Sequence, residues 1–166
     1  VGQVLKALDE NHIAGNTLII FTTDNGCSPA AKIPELEAAG HDQNYIYRGH
    51  KADIWEGGHR VPFLVRWPGV VKPGSRCEES IALTDVMATV AAAVGVGLKK
   101  GEAEDSVSLV GLLRAGKSES PLHDEVIHHS SSGEFSIRSG RWKLCFCPGS
   151  GGWSAPRGKA QAEKLG

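Results

Sequence analysis

The sequence predicts an α/β fold, with part of a layered sheet and its helices followed by a small antiparallel sheet. Three observations carry this reading. Val1, Val4, Leu5 and Leu8 recur at the spacing of one helix face. Directly after them, Thr17-Leu18-Ile19-Ile20-Phe21-Thr22-Thr23 is an apolar and β-branched run without alternation, the pattern of a strand buried on both faces. From about Glu125 onward the period shortens to that of strands, and glycine-containing turns interrupt it.

The elements follow in order. A helix is expected over residues 1–14, stopped at Gly15-Asn16 because glycine accepts a left-handed backbone. The buried strand 17–23 comes next, then a surface excursion over 27–46 that Pro29, Pro34 and Gly40 break up, with one helical turn over 35–39. Val-Pro-Phe-Leu-Val-Arg-Trp at 61–67 reads as a second strand, with Pro62 at its start, where a missing N–H is tolerated. Pro68-Gly69 and Lys72-Pro73-Gly74 are turns. A helix over 85–94 is expected, capped by Thr84, stopped by Gly95, and buried through Met87, Val90, Ala91 and Val94. Ser108 caps a shorter helix that turns Leu109, Leu112 and Leu113 inward and closes at Gly116. Strands are expected over 125–129, 134–139 and 141–147. The expected division is an α/β part over 1–104, a small α+β subdomain over 105–147, and a flexible tail over 148–166, where Gly, Ser, Lys and Ala dominate.

Composition narrows the function classes. The 166 residues are 40% hydrophobic and 22% charged, with 18 Lys and Arg against 19 Asp and Glu for a formal charge of −1. No long run of one sign occurs, which argues against nucleic-acid or membrane-surface binding through bulk charge. No apolar stretch approaches the ~20 residues that span a bilayer. The sequence begins within a helical pattern, without an initiator Met or a recognisable leader, and is expected to be a piece of a longer protein. Cys27, Cys77, Cys145 and Cys147 form no C-x-x-C pair, so a zinc ribbon or thioredoxin-like site is not expected. Free, half-buried thiols are.

Two segments carry the candidate chemistry. Asp24-Asn25-Gly26 stands at the carboxyl end of the first strand, where open α/β sheets place ligands. A carboxylate and an amide oxygen are hard donors suited to Ca²⁺ or Mg²⁺, although alone the tripeptide is equally an Asn-Gly turn. Lys51 lies between Gly49 and Gly57-Gly58, where backbone can approach a ligand and an ammonium can neutralise a sulfate or phosphate oxygen. By composition alone it is equally an exposed loop lysine. His50 and His59 flank Lys51 and are candidates for the same pocket. Arg48 and Arg60, beside Tyr47, Trp55 and Glu56, are expected to stack and to form ion pairs. His128 and His129 are adjacent in a strand and cannot converge on one ion.

Read together, Asn16-Thr17 to Phe21-Thr22 and Asp24-Asn25-Gly26, then Gly49-His50-Lys51 to Glu56-Gly57-Gly58-His59-Arg60-Val61-Pro62, then Trp67-Pro68-Gly69, resemble the type I sulfatase (arylsulfatase-like) family. Ser80 to Thr89 and Gly140-Arg141-Trp142-Lys143-Leu144 extend the resemblance to about residue 147. It implies the carboxyl-terminal portion of a protein of the alkaline phosphatase superfamily, whose layered α/β domain is followed by a small antiparallel sheet with a helix. It also implies sulfuric ester hydrolysis, with Asp24 and Asn25 as calcium ligands, Lys51 as the catalytic contact to sulfate, and His50 beside it. The partner would be a sulfated sugar, aryl sulfate or steroid sulfate. The compartment would be periplasmic, extracellular or lysosomal in type.

The family's formylglycine nucleophile arises in a C/S-x-P/A-x-R motif. Cys27-Ser28-Pro29-Ala30-Ala31 lacks its Arg, so the nucleophile and the remaining ligands are expected upstream, and this chain alone is expected to be inactive. Two other readings stand beside this one: a phosphoesterase or phosphonate hydrolase of the same superfamily, and a non-catalytic scaffold or binding module. Exposed strand edges and apolar faces are expected to make the isolated chain self-associate.

Overall fold

The structure, a computed structural model, describes residues 1–157 and 159–164. Its elements are α1 (Gly2–Glu10), β1 (Ile19–Thr22), α2 (Ile33–Ala38), α3 (Glu56–His59), β2 (Phe63–Arg66), α4 (Asp85–Ala93), α5 (Val110–Ala115), β3 (Val126–His129), β4 (Phe135–Ser139), β5 (Trp142–Cys145) and α6 (Lys159–Ala162). β1 pairs with β2 in a two-stranded sheet, and β3, β4 and β5 form a second sheet in that order. This is the mixed α/β fold with a small antiparallel sheet near the carboxyl end. No helix among the described residues is long and apolar enough to cross a membrane. The chain forms two units, one of Val1–Ile20 with Leu64–Val126 and one of Phe21–Phe63 with Ile127–Gly166.

In the first unit, α1 ends before the expected glycine. His12 takes the left-handed conformation at φ 57°. Its N–H bonds to the Asp9 carbonyl, and the Ile13 N–H reaches back to Leu8, which is a Schellman stop made by a non-glycine residue. The first strand also differs from expectation. Residues of β1 are half-buried and Phe21 is 42% exposed, because β2 is the single strand it pairs with among the described residues.

α4 starts and stops where the sequence places it, with Gly95 left-handed at φ 74°. The face it buries is a different one. Asp85, Ala88, Thr89 and Ala91 point inward, while Met87, Val90 and Val94 are exposed, so of the four residues expected on the buried stripe only Ala91 is there. Hydrogen bonds decide this orientation. Asp85, fully buried, accepts from the N–H groups of Ala82 and Val107 and lies 2.8 Å from His123 Nε2. The N–H groups of Ala88 and Leu109 donate to Ser106 and Thr89 side chains. Thr84, expected to cap, donates its hydroxyl to the Asp105 carbonyl instead. In α5 Leu112 is buried, as is Leu109 before it, and Gly116 is left-handed at the end as expected, but Leu113 is half-buried and Leu109 takes the N-cap position expected of Ser108, whose hydroxyl accepts from the Val110 N–H at 3.4 Å.

In the second unit, β4 and β5 pair antiparallel with Ser136 opposite Cys145, Ile137 opposite Leu144, Arg138 opposite Lys143, and Ser139 opposite Trp142. Gly140, with φ 53°, makes the turn. Alternation along the strands separates two faces. Ser136, Arg138, Lys143 and Cys145 share the more buried one, whereas Phe135, Trp142 and Leu144 share the exposed one. The four cysteines are free; Cys77 is exposed and the other three are half-buried. Burial pushes the Cys147 thiol up from its ordinary pKa. Beyond Pro148, in the stretch that composition reads as a tail, Ser150 is fully buried, and its N–H and carbonyl bond to Pro156 and Ile54.

Candidate active site

Backbone packing at glycines assembles the site, all of it in the second unit. The Gly26 N–H donates to the Gly58 carbonyl at 2.9 Å, and a Cβ on Gly26 would lie 1.7 Å from the Gly57 oxygen. No side chain fits there. The Lys51 N–H bonds to the Cys27 carbonyl at 2.9 Å, and the Gly57 N–H to the Arg48 carbonyl at 2.8 Å. Asn44 ties the same strands of chain together, accepting from the Cys27 N–H and donating to the Gly49 carbonyl. The Asp24-Asn25-Gly26 turn and the Lys51 segment, read separately in the sequence, are therefore one hydrogen-bonded unit.

The groups with candidate chemistry are left free by this packing. The Asp24 carboxylate is exposed, and among the described residues no hydrogen bond or ion pair engages it. Asn25 donates its Nδ2 to the Gly26 carbonyl at 2.9 Å, which leaves Oδ1 as an uncommitted oxygen. Lys51 is half-buried, and among the described residues only its backbone is bonded. Asp24 and Asn25 thus match calcium in donor type, both being hard oxygens, and provide two of the about six to eight that calcium takes. No cluster of three or more His, Cys, Asp or Glu residues converges among the described residues.

Asp53, 3% exposed, is a hub that sequence reasoning did not single out. Its carboxylate accepts from the His50 N–H at 2.9 Å, from the Trp153 and Ser154 N–H groups at 2.8 and 3.0 Å, and from the Ser154 hydroxyl. Burial by itself raises the Asp53 carboxyl, but these hydrogen bonds outweigh it and hold its pKa below the ordinary value. Ser154 Oγ also lies 3.0 Å from His50 Nε2. His50 and Ser154 help line a cavity of about 570 Å³ with Gln43, Asn44, Tyr45 and Tyr47. Neither Lys51 nor His59 lines it.

His59 belongs to an ionic cluster under the antiparallel sheet. Glu56 Oε1 lies 2.8 Å from Arg138 Nη2 and 3.0 Å from Lys143 Nζ, and Lys143 also donates to the Ile54 carbonyl at 2.6 Å. His59 Nε2 is 2.7 Å from Lys143 Nζ, and its ring lies 4.1 Å from that of His128. Burial raises the Glu56 carboxyl, yet His59, Arg138 and Lys143 together hold it well below the carboxylate range. Burial first, and the nearby His59 and Lys143, push His128 down to about 4. Arg48 stacks over Trp55 at 3.5 Å and Arg60 over Tyr47 at 4.6 Å, as expected of these arginines. Lys143 and Glu56 are 87 residues apart, and nothing local in the sequence pairs them.

The Sulfatase family model matches residues 1–96. Steryl-sulfatase of Rattus norvegicus is 42% identical over 132 residues, covering 80% of this chain and 22% of that protein. N-acetylgalactosamine-6-O-sulfatase of Bacteroides thetaiotaomicron is 32% identical over 148 residues, covering 86% of this chain and 28% of that protein. A solved Bacteroides thetaiotaomicron structure, described with that organism's metabolism of multiple glycosaminoglycans, matches with a TM-score of 0.77 and 29% identity over 87% of this chain and 30% of its own. The chain thus spans about a quarter of these relatives. With more than half of its residues matched by the family model, and with the two motif segments joined backbone to backbone, this chain belongs to the sulfatase family.

Proposed function

We propose that this chain carries part of the active site of a sulfuric ester hydrolase. Asp24 and Asn25 are two ligands of a calcium ion, Lys51 is the contact to the sulfate, and His50 lies beside it. The observation that carries the reading is the pair of hydrogen bonds from Gly26 to Gly58 and from Lys51 to Cys27. They bring the turn bearing two free hard oxygens against the segment bearing a free ammonium. When bound, the cation supplies positive charge that offsets charge developing on sulfate oxygens. The chain's own residues orient the ester. Lys51 neutralises one sulfate oxygen, and the glycines at 49, 57 and 58 let the backbone come close without steric cost.

The nucleophile and the other ligands lie outside this segment in this reading, so the isolated chain hydrolyses no sulfate ester. The shape of the donor set also suits a phosphate ester; the likeness to proteins named sulfatases favours sulfate. Two measurements test the assignment. Calorimetric titration of the chain with Ca²⁺ should show weak binding that Asp24→Ala abolishes; tight binding that survives Asp24→Ala overturns the metal assignment. In a protein of the relatives' length containing this segment, Lys51→Ala should lower kcat/KM for an aryl sulfate by about 10²–10³-fold, the usual scale for losing one stabilising charge contact. Hydrolysis of a phosphate monoester in preference to the sulfate would put the protein in the phosphoesterase class.

A further inference from the structure

We propose that Asn25-Gly26 is a modification site, a dipeptide that loses its side-chain amide to water once it leaves its packing. The fold keeps it intact by closing the backbone around Gly26. This goes beyond the sulfate-ester reading, which enters only through the ligand role proposed for Asn25.

The chemistry follows from the pair of residues. Of the four Asn residues, Asn25 is the one that Gly follows; Asn11, Asn16 and Asn44 precede His, Thr and Tyr. Without a side chain on the following residue, the Gly26 backbone nitrogen reaches the Asn25 Cγ with the least hindrance. The nitrogen bonds to Cγ, its proton passes to the departing amide nitrogen, and the Cγ–Nδ2 bond breaks with release of ammonia. Water then opens the cyclic imide at either carbonyl. The product is Asp at position 25 or its isomer, in which the backbone runs through the side chain. One water is consumed for one ammonia released, and nothing is oxidised or reduced.

The structure opposes each part of this sequence. The Gly26 N–H, which carries the attacking nitrogen, donates to the Gly58 carbonyl at 2.9 Å, so that bond must break before the imide can close. Gly26 has no room to turn in place, since a Cβ on it would lie 1.7 Å from the Gly57 oxygen and 2.8 Å from the Gly57 carbonyl carbon. The next residue is held at both of its backbone groups. The Cys27 N–H donates to Asn44 Oδ1 at 3.3 Å, and the Cys27 carbonyl accepts from the Lys51 N–H at 2.9 Å. The leaving nitrogen, Asn25 Nδ2, is itself bonded to the Gly26 carbonyl at 2.9 Å. Reaction therefore waits for a local opening in which the bonds of Gly26 and Cys27 part together.

One requirement creates the labile pair and protects it. Only glycine fits at position 26, so a bulkier neighbour that would shield Asn25 is excluded by the packing. Asn25 keeps its amide for as long as Gly57 and Gly58 stay against Gly26. Conversion is also one-way. Asp adds a negative charge beside Asp24, and the isomer adds a methylene to the backbone and shifts Gly26 away from Gly58. In the reading above, an amide ligand of the cation is lost in either product.

The test is peptide mapping by mass spectrometry of the 166-residue chain after incubation at neutral pH, folded and in urea, without calcium or sulfate. Conversion at Asn25 should be about a hundredfold slower in the folded chain, the combined scale of the hydrogen bonds that must open. Gly57→Ala, which crowds the contact, should speed conversion in the folded chain by about tenfold. Gly111→Ala should leave the rate unchanged. Asn44→Ala frees the Cys27 N–H and should act in the same direction as Gly57→Ala, so it answers if that variant does not fold. Equal rates in the folded and urea-treated chain overturn the protection, as does a wild-type rate in the variants that open the contact. Conversion in urea that is no faster at Asn25 than at Asn11, Asn16 and Asn44 overturns the site itself.

Discussion

Single ionisable residues set the acid stability of this chain. His128 is held at about 4, against an ordinary 6.5, by burial and by the facing His59, Lys143 and Arg138, with Glu56 opposing them. Between those values the unfolded chain takes up a proton that folded His128 refuses, so stability falls as pH drops from about 6.5 toward 4. Glu56 has the same sign. Its folded carboxyl stays ionised while the unfolded one protonates near 4.5, so its contribution is complete above that value and is lost below it. Urea melts from pH 7 to 4 should show a decline that His128→Asn reduces by about 2–3 kcal/mol; an unchanged slope would remove His128 from the account. At neutral pH, Glu56→Ala leaves Lys143 and Arg138 beside each other without their anion. A loss of about 3 kcal/mol is expected from the same melts. The charge types of these residues are legible in the sequence, but their partners are not, since Glu56 meets residues from strands more than eighty positions away.

At the scale of elements, the glycine-rich segment around α3 is specified by contact between backbones. A Cβ on Gly57 would lie 2.1 Å from the Gly49 oxygen and 2.7 Å from that of Arg48, and neither carbonyl can swing away as a side chain would. Gly57→Ala should therefore cost about 1–3 kcal/mol, as overpacking does. Gly111, inside α5 with nothing within 4 Å of its would-be Cβ, gives the contrast: Gly111→Ala should be neutral or stabilise by up to about 1 kcal/mol. Thermal melts of the two variants separate these outcomes, and equal shifts would mean that backbone contact at Gly57 is not what limits it. Helix α4 shows the reverse situation, in which a pattern misleads. Its larger apolar residues recur at helical spacing yet face outward, because Asp85 and Thr89 carry hydrogen bonds that need a partner away from water.

For the whole molecule, the outer face of the three-stranded sheet is the feature with consequences. Phe135, Trp142, Leu144 and Ile127 are 53%, 73%, 57% and 65% exposed, and Phe146 continues the row at 62%. Contiguous apolar area of this kind drives association of a soluble chain. Light scattering should give a mass that rises with concentration, and Trp142→Lys should reduce that rise; a constant monomer mass in the wild type would contradict the expectation. Exposed strand edges and apolar faces lead to the same expectation from the sequence, and the residues that would carry association lie on one face of one sheet.

The sequence by itself determined the fold class, the existence of nearly every element, and the two motif segments, because each depends on local period, turn residues and short spacings. It located Asp24, Asn25, His50 and Lys51 as candidates on the same grounds. It did not show that Asp53 gathers Trp153 and Ser154, that Lys143 and Arg138 hold Glu56, or that His50 and His59 go to different places. Those facts join residues about a hundred positions apart or separate residues nine apart, and Gly-Ser-Gly-Gly-Trp-Ser has the composition of a mobile end. Only the tertiary structure decided them, since a buried carboxylate chooses its hydrogen-bond donors from what surrounds it in space, and local sequence carries no record of that choice.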